Sequence, residues 1–199
     1  MSLTYKIATI NINGISSRLE IYMLRNFLMR QDINIALIQE VTKTESSLIY
    51  GNDTHLNVGV DHRGTVIIVK EGLTLTNIKQ LPSGRGIAGL FNDTCLVNIY
   101  APSGAGNRQE RENFFYHDLA YLLATCQKDI LLAGDFNCVL SPSDCTGAPN
   151  ISRALSSVIN GLALHDAWES QEHRTCYTHY TNDGATRLEY IYIYIYLHH

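Results

Sequence analysis

The sequence predicts an α/β protein in which two β-sheets pack face to face with helices on the outside. Three observations carry this expectation. Apolar runs of strand length recur along the whole chain, and only a few stretches show helical periodicity. Residues 55–100 read as strand after strand with no helix between them. Strict β-α alternation would build one parallel sheet; this mixed order needs two sheets sharing a core.

The elements follow in order. Tyr5–Ile12 reads as a strand. Ser17-Arg18-Leu19-Glu20 is a capping-box pattern, and behind it Leu24, Phe27 and Leu28 form the apolar stripe of a helix running to about Arg30. Ile35–Ile38 is a buried strand. Thr65–Val69, Leu73–Ile78, Gly86–Phe91 and Cys95–Tyr100 are strands separated by Lys70-Glu71-Gly72, Pro82-Ser83-Gly84 and Asn92-Asp93. A second helix spans about Gln109–Thr125, with Phe115, Leu119, Leu122 and Cys126 on one face. Ile130–Ala133 is another buried strand, and Ser152–Asn160 a short helix stopped by Gly161. No linker divides the chain, so residues 1–193 are expected to form a single domain, followed by a low-complexity tail at 194–199. From Tyr190 to Tyr196 the chain alternates Tyr and Ile without a break. Such a run is what an alternating TA repeat encodes when read in frame; it also suits a real strand, since both residues favour β structure.

Composition narrows the class. A 199-residue chain with 45% hydrophobic residues can bury a large core. Its net charge of −4 argues against a uniformly basic nucleic-acid binder, while leaving room for bases grouped at one groove and acids at a metal. Five cysteines form no Cys-x-x-Cys pair and no signal peptide is present, so reduced thiols in the nucleus or cytoplasm are expected, not secretion. No apolar stretch reaches the length of a membrane span.

Chemistry concentrates where apolar runs end. Gly134-Asp135-Phe136-Asn137 follows a buried strand, with Asp135 and Asn137 on one side of an extended chain. A carboxylate there can orient water and an amide can donate to a phosphate oxygen; both types also favour ordinary turns. Ile38-Gln39-Glu40 repeats the geometry, and Glu40 suits a hard divalent cation that takes one or two carboxylates plus water. Asn11 and Asn13 leave the first strand before Gly14, and Tyr100 ends a strand broken by Ala101-Pro102.

In this order the clusters Thr-Ile-Asn-Ile-Asn-Gly (9–14), Ile-Gln-Glu (38–40), Asn-Ile-Tyr-Ala-Pro-Ser (98–103), Gly-Asp-Phe-Asn (134–137) and Thr-Arg-Leu-Glu-Tyr (186–190) resemble the endonuclease/exonuclease/phosphatase superfamily. The resemblance is to the apurinic-endonuclease-like endonuclease domains of LINE-type (non-LTR) retrotransposons. Arg111–Phe115 and Leu164-His165-Asp166-Ala167-Trp168 support it. It implies a four-layer α/β sandwich of two facing mixed sheets, and a monomer that hydrolyses a DNA phosphodiester with Mg²⁺ or Mn²⁺. It also implies a downstream reverse transcriptase domain as original partner, and no membrane. By the resemblance, Glu40 is the metal ligand and Asn11 lies near metal and phosphate. Tyr100 and Asn137 contact the phosphate, and Asp135 holds the attacking water. Glu189 stands where the family has the Asp that orients a catalytic histidine, one methylene longer. The family's closing Ser-Asp-His is replaced by the Tyr-Ile run and His198, so a copy lacking its last strands and impaired in catalysis is expected. The alternatives are a non-catalytic, DNA-binding remnant and a relative acting on lipid headgroups.

Overall fold

The structure, a computed structural model, describes residues 4–15, 17–42, 53–59, 63–126, 129–168, 177–182 and 184–194. Cys176, His173, Ile195, Tyr196 and His198 lie outside them. Two mixed sheets carry the fold, as the sequence predicts. The first has the order β1-β2-β4-β3, made of Ile7–Asn11, Ile35–Thr42, Arg63–Val69 and Asp53–Val58 respectively. The second has the order β5-β6-β7-β8-β12-β9, made of Thr76–Gln80, Gly86–Phe91, Thr94–Tyr100, Asp129–Asp135, Glu189–Tyr194 and Leu164–Asp166. Among the described strands the β1/β2 and β7/β8 pairs are parallel and the other pairs antiparallel. A small hairpin, β10 (His179–Thr181) with β11 (Gly184–Thr186), precedes β12.

Three apolar layers hold four layers of structure together. Ile35, Leu37, Ile67 and Val69 of the first sheet meet Ile87, Leu96, Leu131 and Ala133 of the second. On the far side of the first sheet lies helix α1 (Arg18–Arg30), seated through Ile21, Leu24 and Leu28 on Ala36, Ile38, Val41 and Val66. Ser17 caps it as the sequence predicts: its side chain accepts from the Glu20 N–H and the Glu20 carboxylate accepts from the Ser17 N–H. Phe27, expected in the buried stripe, is instead 48% exposed; Ile21 is the buried residue, with Leu24 and Leu28 partly buried beside it, because a helix repeats every 3.6 residues and Phe27 falls about a quarter of a turn off the Ile21–Leu24–Leu28 line.

On the far side of the second sheet lie α2 (Arg108–Asn113), a π-helical turn (Phe114–Leu119), α3 (Ala120–Ala124) and α4 (Arg153–Gly161). Phe115, Leu119 and Leu122 are buried there against Phe136, Tyr190 and Tyr192. Gly161 proves to be the last helical residue, and the left-handed turn after α4 falls on Ala163 (φ 49°). Among the described residues no helix is long and apolar enough to cross a membrane.

Two expectations need correction. Leu73–Ile78 pairs only from Thr76 onward; Leu73 and Leu75 pack into the inter-sheet layer without a strand partner. The expected reduced thiols give way at Cys95 and Cys126, which form a disulfide between the start of β7 and the end of α3, with Cα atoms 5.8 Å apart. Cys138 and Cys145 are free. The start of the Tyr-Ile run is a real strand. β12 pairs with β8 on one side and, from Tyr192 to Tyr194, with β9 on the other. Tyr190 and Tyr192 enter the helix-side core while Ile191 and Ile193 face the other sheet.

Candidate active site

The two sheets bring strand ends together at one edge of the sandwich, and the acids gather there. Asn11 ends β1. Its Nδ2 donates to Glu40 Oε1 at 3.1 Å and to Asp135 Oδ2 at 2.8 Å. One amide nitrogen therefore joins a carboxylate of the first sheet to a carboxylate of the second. The Asn11 Oδ1 accepts from the Asn13 N–H at 2.8 Å, which fixes the amide's orientation.

Glu40 reaches this point through an irregularity. The β2/β4 register shifts between Gln39 and Val41, and Glu40 takes a left-handed conformation with φ 60°. Such a conformation is costly for a residue other than Gly, Asn or Asp and concentrates at functional sites. Asp135, only 4% exposed, ends β8. Its neighbour Phe136 is fully buried in the opposite layer among Phe115, Tyr190 and Tyr192, which anchors the loop. Before it, Gly134 (φ 141°) lies so close to β7 that a Cβ would sit 2.0 Å from the Ile99 carbonyl oxygen. A glycine is therefore what lets β7 and β8 pair right up to Tyr100 and Asp135.

Asn137, also left-handed (φ 50°), donates its backbone N–H to Asp135 Oδ1 at 2.9 Å and its Nδ2 to the Ala101 carbonyl at 2.9 Å. One amide hydrogen expected for a phosphate thus ties down the loop after Tyr100. Tyr100 and Glu189 flank Asp135, in register with it on β7 and β12. Tyr100 is 3% exposed, with the Arg85 guanidinium 5.2 Å from its ring centre; the expected phosphate-facing phenol is buried in this conformation. Glu189 Oε2 is buried with no hydrogen-bond partner. Burial above all, then the Glu189 carboxylate, pushes the Asp135 carboxyl up to about 7; the Asn137 N–H and the Asn11 amide oppose this, and Glu40 adds to it.

The donor set fits a hard divalent cation. Two carboxylates share one amide, and a third presents an unsatisfied buried oxygen. Among the described residues no three His, Cys, Asp or Glu side chains come together as a metal-binding group.

Several residues around the site belong to the segments that carry the resemblance, but the sequence assigned them no role of their own. Gln39 and Asn98 are fully buried amides that bond each other between the sheets at 2.6 Å. Arg111, also buried, donates to the Pro102 and Gly104 carbonyls at 2.8 and 3.2 Å and so holds the loop beyond Tyr100. Its place at the head of Arg111–Phe115, a segment that supports the resemblance, is the signal that could have marked it. Arg187 pairs with both Asp144 and Asp166 and stacks on Tyr190, fastening the entry to β12.

The model of the endonuclease/exonuclease/phosphatase family matches residues 8–194. Among solved structures, the chain is similar to an AP endonuclease from Archaeoglobus fulgidus (TM-score 0.79, 16% identity, 96% of this chain and 86% of that one). It is similar also to the 3′ phosphatase NExo from Neisseria bound to a product DNA hairpin (0.76, 18%, 96% and 86%). The third is TDP2 from Caenorhabditis elegans (0.65, 14%, 95% and 63%). No curated protein sequence matches the chain.

Proposed function

The chain belongs to the endonuclease/exonuclease/phosphatase family, and from that premise we propose that it is a divalent-metal-dependent DNA endonuclease of the LINE retrotransposon type. The observation that carries the reading is the Asn11 amide bonded at once to Glu40 and Asp135. The Tyr-Ala-Pro and Gly-Asp-Phe-Asn clusters favour the nuclease branch over one acting on lipid headgroups. The DNA-bound Neisseria structure supports nucleic acid as the substrate class.

In this reading Glu40, with Asp135 beside it, would hold Mg²⁺ or Mn²⁺. The ion would supply charge stabilisation at the phosphate and the leaving oxygen. Asp135 accepts the proton of the attacking water, and Asn11 fixes the angle between the two carboxylates. Asn137, held at Ala101, offers its remaining amide hydrogen to a phosphate oxygen. Tyr100, beside Asp135 on β7, would donate its hydroxyl to the phosphate, with the Arg85 guanidinium over its ring face. Glu189 raises the basicity of Asp135 from the neighbouring strand. Among the described residues no histidine joins this cluster. A positioned acid or base contributes roughly 10²–10⁴-fold, so slow nicking is expected. A non-catalytic DNA-binding role is the second reading, favoured by the buried Tyr100.

The test is relaxation of supercoiled plasmid in Mg²⁺ or Mn²⁺. Slow nicking abolished by EDTA, by Glu40→Gln and by Asp135→Asn is the expected result. Nicking that survives both substitutions would refute the assignment; DNA binding without any nicking would select the second reading.

A further inference from the structure

The alternation of β2 poses a problem that the site has to solve. Leu37 and Gln39 face the second sheet, while Ala36 and Ile38 face α1. By that alternation Glu40 would enter the apolar layer under α1. It does not, because the bulge inserts Glu40 as an extra residue and gives its place in that layer to Val41. The position of the site's carboxylate is thus the position of the bulge.

Two buried amides grip the chain just before it. Asn98, on β7 of the opposite sheet, donates its Nδ2 to the Ile38 carbonyl at 2.9 Å and to the Val66 carbonyl at 2.8 Å. Ile38 and Val66 are paired residues of β2 and β4, so one side chain clamps both strands. Asn98 Oδ1 accepts from Gln39 Nε2 at 2.6 Å, and that nitrogen also lies 3.1 Å from Thr9 Oγ1 and 3.0 Å from the Leu37 carbonyl. The network therefore joins β1, β2, β4 and β7 across the sandwich. Its members stand one or two residues before the site on their own strands: Thr9 before Asn11, Gln39 before Glu40, Asn98 before Tyr100.

We infer that Asn98 and Gln39 are positioning residues, which fix the Glu40 bulge against β7 and thereby set the Glu40 carboxylate beside Asp135. This rests on the reading of Glu40 as metal anchor. The amides touch neither the metal position nor substrate; they act through backbone. A buried network whose donors have acceptors on both sheets specifies one relative placement of the sheets, whereas apolar contacts alone would tolerate small slips.

The test measures Mn²⁺ affinity by electron paramagnetic resonance titration, alongside Tm, for Asn98→Leu and Gln39→Met. Asn57→Leu is the matched control: Asn57 is likewise buried and lies in the same cross-strand row, paired with Thr65, but it donates to the Leu81 and Gly86 carbonyls and not to β2. Outer partners of metal ligands typically control affinity about 10–100-fold. Asn98→Leu and Gln39→Met are expected to weaken Mn²⁺ binding at least tenfold, while Asn57→Leu lowers Tm to a similar degree and keeps its affinity. Gln39→Met carries the test if Asn98→Leu does not fold. Glu40→Gln separates the two levels. If it leaves Mn²⁺ binding intact, the metal-anchor reading falls and takes this inference with it. If it abolishes binding while the amide variants stay within about twofold of the wild type, the positioning role is wrong and the metal reading stands.

Discussion

Asp135 is a carboxylate placed where ionisation is hard, and that has a measurable consequence. Its folded-state pKa, near 7, lies above the ordinary value of 3.8. The folded protein therefore holds this proton more tightly than the unfolded chain does. The associated stability is complete below about pH 4 and is lost as pH rises through 7, on the order of 4 kcal/mol. In EDTA, urea unfolding at pH 5 should show a more stable protein than at pH 8. Asp135→Asn should flatten that dependence and make the protein more stable than wild type at pH 8. Equal pH profiles for the two proteins would show that Asp135 titrates normally. Asn11, Glu40 and Asp135 were legible in the sequence because each stands at the end of an apolar run, where a polar side chain is conspicuous. Gln39 and Asn98 were not, although they sit in the same quoted clusters. Nothing in a strand's sequence tells an amide that faces solvent from one that crosses between two sheets. The burial of Tyr100 was not legible for another reason: strand position predicts which end of the fold a residue occupies, not how deeply it is covered.

At the scale of elements, β12 decides how the second half of the chain closes. The strict Tyr/Ile alternation is ambiguous as sequence, but it matches the two unlike faces that β12 needs. The helix-facing positions take rings: Tyr190 and Tyr192 stack on each other, centroids 5.4 Å apart, and both meet the Phe136 ring edge-on. The sheet-facing positions take Ile191 and Ile193. Tyr190 donates its hydroxyl to Asp144 at 3.1 Å, whereas the buried Tyr192 hydroxyl has no partner. A buried hydroxyl without a partner costs roughly 1–3 kcal/mol. Tyr192→Phe is therefore expected to hold or raise Tm, while Tyr192→Ala, which empties a fully packed site, should cost about 3–5 kcal/mol. A clear loss of Tm in Tyr192→Phe would mean that this hydroxyl has a polar partner, and Tyr192→Ala without loss would mean the strand is not docked. Among the described residues β12 is an interior strand and the sheet ends at the three-residue β9, a short edge that offers little for another chain to pair with. Pairing between β9 and β12, as of Asp166 with Tyr192, was beyond local pattern reading, as were the short β10 and β11.

At the scale of the whole molecule, the site exists only where two sheets converge, so its integrity and the global stability can be separated experimentally. The Cys95–Cys126 bond tests this. It staples the β7–α3 segment across 31 residues, a loop for which chain entropy predicts about 3–4 kcal/mol of stabilisation. The bond lies at the far end of β7: Cys95 is five residues from Tyr100, roughly 17 Å along a strand. The three apolar layers are continuous without it, and a chain of this size normally buries enough surface to fold unaided. Reduction by dithiothreitol, or the pair Cys95→Ala with Cys126→Ala, should therefore lower the urea midpoint by an amount equivalent to 3–4 kcal/mol. Near-ultraviolet circular dichroism and the Mn²⁺ affinity should stay as they were. The outcome also bears on where the chain can work. A reduced protein that keeps its fold and its metal affinity is competent in a reducing compartment, as the five scattered cysteines led us to expect. Loss of the near-ultraviolet signal on reduction would show that the staple is a condition of the fold, and would overturn the view that the layered core suffices.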